Sequence, residues 1–163
     1  MIHEYELVEH ELADNVTVFC LSKRSSEKDF VDKWMMDAKQ QESFDNFTAV
    51  ITRIVQRGVI SMGNSQKLRC VDGKLGLYEI KNYYKEKRVM AVFKEGAVLL
   101  FQYEAHKGGS SKNDPKMMKR ARKLAEIACA LLEEELGENN GNQEREQLQG
   151  SPEMGEDRRN ESV

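Results

Sequence analysis

Three short apolar segments near the middle of the chain constrain its fold more than any other feature. They are Leu75–Lys81, Lys87–Lys94 and Ala97–Lys107, each rich in aliphatic, β-branched and aromatic residues and separated by short polar or glycine-containing joints. This pattern predicts a three-stranded antiparallel meander. The middle segment is apolar on both alternating faces, which is typical of an interior strand covered on both sides.

Charge is unevenly distributed along the chain. The window Lys67–Lys123 contains 15 lysines and arginines against 6 acidic residues, whereas the remainder contains 10 against 22. The total of −3 argues against a nonspecific nucleic-acid coat. The segregation nevertheless leaves one basic surface that can bind phosphate groups.

The first residues do not favour one conformation. Met1–Leu12 is acidic and weakly periodic, so it is either an added edge strand, a short helix or a frayed arm. We treat residues 1–14 as an acidic N-terminal extension. Val16–Leu21 is a short apolar, β-branched run and predicts a buried strand.

Two helices are expected next, and together they form an antiparallel pair. The first runs from a cap at Ser25 or Ser26 to about Gln40, and the second from a cap at Ser43 to the terminating Gly58. Their apolar positions recur at helical spacing. These positions are Phe30 or Val31, Trp34, Met35 and Ala38 in the first helix, and Phe44, Phe47, Ile51, Ile54 and Val55 in the second.

The segment Lys67–Val71 allows two arrangements. It forms either one interrupted strand with Leu75–Lys81 or a tight hairpin with it. With the meander and the helices, this predicts a single α+β domain over residues 15–136: a small antiparallel sheet packed by two N-terminal helices, with a C-terminal helix.

The C-terminal helix is expected from Pro115 to about Leu136, with Asp114 as its cap. Its first two turns carry Lys116, Lys119, Arg120, Arg122 and Lys123. Positive charge at a helix N-terminus opposes the macrodipole, so these residues indicate a polyanionic partner, with a plain solvated face as the alternative. Residues 137–163 have almost no apolar side chains and are expected to be a disordered acidic tail.

The cysteines and the N-terminus bear on the compartment. Cys20, Cys70 and Cys129 are far apart without metal-ligand spacing, and we interpret them as reduced core thiols. No apolar signal region or long uncharged apolar run occurs, so a soluble, cytoplasmic protein without a membrane partner is expected.

The order of one strand, two helices, a meander and a final helix resembles the RelE/HigB superfamily of bacterial toxins, in particular its phage-derived HigB-like branch. The likeness covers about residues 16–128 and is carried by Gly76-Leu77-Tyr78-Glu79-Ile80, Arg88-Val89, Val98-Leu99-Leu100, Tyr103, His106-Lys107, Lys112, Pro115 and Ala121. The resemblance implies the toxin of a type II toxin–antitoxin system: an endoribonuclease that cuts mRNA, often on the ribosome, and is held inactive by a cognate antitoxin. The long glycine-rich loop after Lys107 and the acidic extensions depart from that pattern.

Metal-independent RNA cleavage needs a general base, a general acid and cations on the phosphate. We expect catalysis by His106, Arg88 and Lys107, without a metal or cofactor, because the histidine titrates near neutral pH and the cations suit a phosphate. RNA-binding residues are expected to be Lys81, Lys85, Tyr84, Lys112, Lys116, Lys119, Arg120 and Lys123.

Each assignment has a structural alternative. Arg88 can instead pair with Glu79 or Glu104 across the sheet, and Tyr103 can be a core residue. Two other functions also fit the resemblance: a ParE-type toxin that binds DNA gyrase, or an inactive relative that only binds nucleic acid.

Overall fold

The computed structural model describes residues 2–12, 15–63, 67–81, 87–94, 96–104 and 114–137. These residues form a mixed sheet and three α-helices, so the expected α+β class is confirmed. The elements are β1 (Tyr5–Glu11), β2 (Thr17–Lys23), α1 (Phe30–Met36), α2 (Gln41–Arg57), β3 (Leu68–Asp72), β4 (Leu77–Lys81), β5 (Lys87–Phe93), β6 (Ala97–Glu104) and α3 (115–137). Single 3-10 turns occupy Ile2–Glu4, Ala38–Gln40 and Val59–Met62.

By its internal contacts the chain divides into Met1–Leu131 and Leu132–Val163. Of the second unit, the described residues are 132–137, which are helical. Apart from Gly137, the expected disordered tail lies outside the described residues. In the described ranges, every helix is too short or too polar to cross a bilayer.

The strands of the sheet follow the order β1-β2-β6-β5-β4-β3. The predicted meander is confirmed, since β4, β5 and β6 pair antiparallel in sequence order. The two open alternatives are decided: Tyr5–Glu11 is an edge strand on β2, and β3 forms a hairpin with β4 that has a bulge between Cys70 and Asp72.

The expectation of a wholly antiparallel sheet is wrong. β2 pairs parallel to β6, with Phe19 opposite Val98 and Cys20 opposite Leu99. Parallel strands require a long crossover, and here the two helices and three further strands supply it. The sheet is also larger than expected, because β1 and β3 extend it at both edges.

The start of each N-terminal helix differs from the prediction. Asp29, and not a serine, caps α1 by accepting a hydrogen bond from the Asp32 backbone N–H at 2.9 Å. Ser43 is a buried residue inside α2 and does not cap it. The helix continues directly from a 3-10 turn, and Asp37 caps that turn. The predicted end is confirmed: Gly58 has a positive φ, and its N–H bonds to the Ile54 carbonyl.

The hydrophobic core lies between these two helices and one face of the sheet. Trp34 packs against Phe44 and Phe47, with ring centroids 5.4 and 4.8 Å away. The helical residues Val31 and Ile51 belong to the same cluster, which the sheet completes with Val18, Cys20, Ile80, Val89, Ala91 and Leu99. Of the helical positions expected inside, Met35 and Val55 are largely exposed and Ala38 is exposed.

The interpretation of β5 as an interior strand is confirmed, because Val89, Met90, Ala91 and Val92 are all fully buried. The cysteines follow the expectation only in part. Cys20 is buried, Cys129 is half-buried and Cys70 is exposed on an edge strand, so Cys70 is not a core thiol.

Candidate nucleic-acid interface

The second face of the sheet carries Glu79 together with Arg69 and Arg88. Residues directly opposite each other on antiparallel strands point to the same face, so Glu79, Met90 and Phe101 share a face, as do Arg88 and Tyr103. This face lies opposite the core that contains Val89. Helix α3 reaches it, since the Arg120 guanidinium lies 4.3 Å from the centroid of the Phe101 ring.

A buried carboxylate is the centre of this face. Glu79 on β4 has no exposed surface, and its Oε1 accepts hydrogen bonds from Arg69 Nε at 3.2 Å and from Arg88 Nη1 at 3.1 Å. Its Oε2 accepts a hydrogen bond from the Tyr103 hydroxyl. Two guanidinium groups thus share one carboxylate oxygen.

Register explains why these side chains meet. Arg69 stands directly opposite Glu79 in the β3–β4 hairpin. Arg88 stands opposite Tyr103 on β6 and Lys81 on β4, one pair further along the same face. The two arginine side chains are 20% and 18% exposed, so both are mostly buried but each still meets solvent.

Helix α3 begins where the sequence predicts. The Asp114 carboxylate accepts a hydrogen bond from the Met117 backbone N–H at 3.1 Å, which fixes the first turn. The predicted basic residues then follow, and Lys116, Lys119, Arg120 and Lys123 are all exposed. Within the described part of the chain, Lys119 and Lys123 form no ion pair.

Arg122 has an acidic partner on β3. Its Nε lies 3.3 Å from Asp72 Oδ2. The pKa of the Asp72 carboxyl is below its usual value. Desolvation raises this pKa, but hydrogen bonds from the backbone N–H groups of Leu75 and Lys74 and from Arg122 lower it, as does the positive charge of Arg122, and together these outweigh desolvation. Asp72 is therefore ionised and ties the edge strand to α3.

A groove of about 900 Å³ lies between this edge strand and the first half of α3. Four of its lining residues are cationic and one, Glu126, is acidic. The cationic residues are Arg69, Lys119, Arg122 and Lys123, and Cys70, Val71, Pro115 and Met118 complete the lining. The groove is thus a cationic cleft that continues into the Arg69–Glu79–Arg88 cluster.

The structure describes the expected site residues in two groups and leaves five of them outside the described ranges. Lys116, Lys119, Arg120 and Lys123 lie on α3, and Lys81 and Arg88 lie at facing positions of β4 and β5. Arg88 forms an ion pair with Glu79, which is one of the two structural partners that the sequence allowed. The expected residues His106, Lys107, Lys85, Tyr84 and Lys112 lie outside the described residues.

Sequence reasoning missed Arg69 and the role of Glu79. The available signal was a lone glutamate inside the apolar segment Leu75–Lys81, because a carboxylate in a buried strand needs a cationic partner. Tyr103 is half-buried on the face opposite the core and so is not the core residue that the sequence allowed; its ring lies 6.2 Å from that of Phe101, and its hydroxyl donates a hydrogen bond to Glu79.

Fold and site together define an α+β protein with a cationic groove between an edge strand and its C-terminal helix. Comparisons of the chain with models of protein families, with curated proteins and with solved structures found no match.

Proposed function

We propose that the protein is an RNA-binding toxin of a type II toxin–antitoxin system that cleaves mRNA without a metal ion, on the ribosome or off it. The observation that carries this proposal is the cationic groove, whose Lys119 and Lys123 have no ion-pair partner among the described residues and lead toward the Arg69–Glu79–Arg88 cluster. A groove with this excess of cations suits a nucleic-acid backbone, because phosphate contacts supply most of the affinity. The resemblance to RelE/HigB toxins supplies the reaction class.

Arg88 is suited to hold the scissile phosphate. Its guanidinium has five N–H donors in a fixed plane, and the contact with Glu79 uses one of them. The same ion pair holds the side chain at the end of β5, so RNA would meet a cation that is already oriented. Arg69 is fixed from the other side by the same carboxylate oxygen.

The proton transfers are assigned to His106, which lies two positions after the last residue of β6 in the sequence. As a neutral imidazole it takes the proton of the ribose 2′-hydroxyl, whose oxygen then attacks the phosphorus. The bond to the 5′-oxygen breaks, that oxygen takes a proton from the imidazolium of His106 through a water molecule, and a 2′,3′-cyclic phosphate remains. Lys107 and Arg88 stabilise the charge that develops on the phosphate.

The implied protein partner is an antitoxin with an acidic or amphipathic segment. Such a segment would compete with RNA for the exposed lysines of the groove, because both partners offer negative charge to the same surface. This partner assignment depends on the resemblance to the toxin family as well as on the groove.

The two ion pairs of Glu79 favour a second candidate function. Arg88 and Arg69 both pair with the buried Glu79, so their first role is structural. A protein that binds RNA in the groove without cutting it would use the same arrangement. This second candidate is the inactive, nucleic-acid-binding relative.

Induced expression in a bacterial host tests these alternatives. Growth is scored and new RNA 5′ ends are mapped for the wild type, for His106→Ala and for Arg88→Lys, with Lys33→Ala as a control at an exposed position on α1. Growth arrest with discrete cleavage sites that vanish in the His106 variant and remain in the control is the expected result. Arg88→Lys keeps the charge but loses the planar fork, so it should weaken cleavage while the protein stays folded.

Other outcomes separate the remaining functions. Arrest without cleavage would refute the nuclease and favour the gyrase-binding type of toxin. No arrest from a well-expressed chain that still binds RNA in vitro would favour the inactive relative.

A further inference from the structure

A second cluster of ionisable side chains lies at the opposite edge of the sheet from the groove. His10 on β1 is buried, and its Nε2 lies 2.7 Å from Asp29 Oδ2. Its Nδ1 lies 3.8 Å from Asp32 Oδ1. One ligand atom from each of the three residues can be chosen so that all lie within 4.8 Å of one another.

The fold brings these residues together from separate elements. His10 stands opposite Val18 in the β1–β2 pair and therefore shares the face of the sheet that carries the hydrophobic core. Asp29 caps α1 with its Oδ1, which leaves Oδ2 directed at the imidazole. Asp32 follows in the first turn of that helix.

The charges of this cluster are not balanced by protein groups. Two carboxylates face one imidazole, and within the described ranges neither carboxylate forms an ion pair with a lysine or arginine. Burial, together with the negative charge of Asp29 and Asp32, also raises the pKa of the neighbouring Cys20 thiol. The side chain of Asp29 is only 3% exposed, so water offers this negative charge little compensation.

The donor set and spacing suit a borderline divalent ion. Zn²⁺ binds imidazole nitrogen and carboxylate oxygen at about 2.0–2.2 Å, which places neighbouring ligand atoms of a tetrahedral site about 3.4 Å apart. A zinc ion takes only one ring nitrogen of His10, and one ligand atom from each of the three residues lies within 4.8 Å of the others, so small side-chain rotations suffice to reach that spacing. The side chain of Asp32 is 39% exposed and leaves a route by which an ion can enter.

We propose that His10, Asp29 and Asp32 form a structural binding site for a divalent transition-metal ion, with Zn²⁺ as the best fit, which fastens edge strand β1 to the start of α1. The ion takes one ring nitrogen and one oxygen from each carboxylate, and it replaces the proton that otherwise joins His10 to Asp29. This site is independent of the groove and of the proposed ribonuclease function.

The test uses the full chain, stripped with a chelator and titrated with ZnCl₂ in a calorimeter and in thermal unfolding. We expect the wild type to bind one Zn²⁺ at this site and to unfold at a higher temperature when Zn²⁺ is present. Asp32→Asn should lower the affinity by about 100-fold or more, since loss of a partner outside the ligand shell alone typically lowers it 10- to 100-fold. It should also abolish the shift in unfolding temperature.

Two further variants keep the result interpretable. Asp29→Asn retains a good helix cap while removing a charged ligand, so loss of Zn²⁺ binding with unchanged circular dichroism would support the proposal. Asp45→Asn removes an exposed carboxylate from α2 and should change neither readout. A wild type that does not bind Zn²⁺, or an Asp32→Asn variant that binds it as the wild type does, would overturn the proposal and leave the cluster as a proton-bridged pair.

Discussion

Removal of the groove lysines Lys119 and Lys123 gives the most direct measure of the role of the groove. Lys119 and Lys123 lie four residues apart on α3, so they occupy the same helical face, and both line the groove. The double variant Lys119→Ala, Lys123→Ala removes two positive charges without breaking an ion pair in the described part of the chain. Both side chains are exposed, so the fold should be unaffected.

The magnitude follows from counterion release. For a single strand, each phosphate contact contributes about 0.7 to the slope of log affinity against log salt concentration, so the loss of two contacts should make the slope shallower by about 1.4. At 0.1 M salt this corresponds to about 25-fold weaker binding, and the difference should disappear near 1 M. Fluorescence anisotropy of a labelled single-stranded RNA at several KCl concentrations measures both quantities.

The matched control removes the same charge elsewhere. Lys33→Ala with Lys39→Ala alters two exposed lysines, one on α1 and one in the 3-10 turn after it. This control should retain the wild-type slope. Equal slopes for the wild type and the groove variant, or equal losses for the groove variant and the control, would show that RNA does not bind in the groove.

Three further predictions concern the supports of this site. Glu79→Gln removes the buried carboxylate with which both arginines pair and should lower the free energy of unfolding by about 3 kcal/mol in urea titration; an unchanged midpoint would show that the pairs contribute nothing. Gly76→Ala should destabilise the β4–β5 pairing and lower the thermal midpoint, because Gly76 has a φ of 64° and an added Cβ would lie 3.0 Å from the Phe93 carbonyl oxygen. The control Gly137→Ala should leave the midpoint unchanged, because an added Cβ there would meet no atom within 4 Å. Because the pKa of Asp72 is lowered in the folded state, its ionisation stabilises the fold above the pKa of an unfolded aspartate, and this stabilisation is lost as the pH falls through the lower folded value. Asp72→Asn should therefore reduce the loss of stability with acid in urea titrations from pH 5 to pH 2. An unchanged dependence on pH would contradict this assignment.

Local patterns predicted the elements better than they predicted the sheet. The meander was predictable because each of its strands buries a continuous apolar run, and α2 because Phe44, Phe47, Ile51 and Ile54 recur on one face. The parallel pairing of β2 with β6 depends on where the chain returns after a long crossover, and no local signal encodes that. The acidic β1 was ambiguous because its edge position demands few apolar residues.

The helix caps show how tertiary contacts overrule local preference. Ser25 and Ser26 are good cap residues, yet Asp29 starts α1 because its carboxylate bonds both to the helix backbone and to His10 on a distant strand. The contact with His10 spans 19 residues in sequence. A local cap pattern therefore could not identify the helix start.

Some residues of the site were predictable from the sequence and others were not. The basic residues of α3 were predictable from charge alone. Positive charge at the start of a helix opposes the macrodipole and does not stabilise the helix, so it indicates a polyanionic partner. Arg69 was not predictable, since its importance depends on the register that places it opposite Glu79. The bulge between Cys70 and Asp72 shifts that register along β3, and the sequence gives no clear sign of it.

The burial of Glu79 below two arginines is consistent with an anion-binding surface. The carboxylate cancels one positive charge, which by itself weakens attraction for RNA. In return it holds Arg69 and Arg88 in one orientation, and each arginine side chain has about 2 kcal/mol of rotamer entropy that an unrestrained residue would lose on binding a phosphate. Lys119 and Lys123 are exposed and have no ion pair with any other described residue, so they suit long-range attraction more than precise positioning. The groove therefore combines two kinds of cation: lysines that attract the polyanion and arginines that are positioned in advance to orient one phosphate.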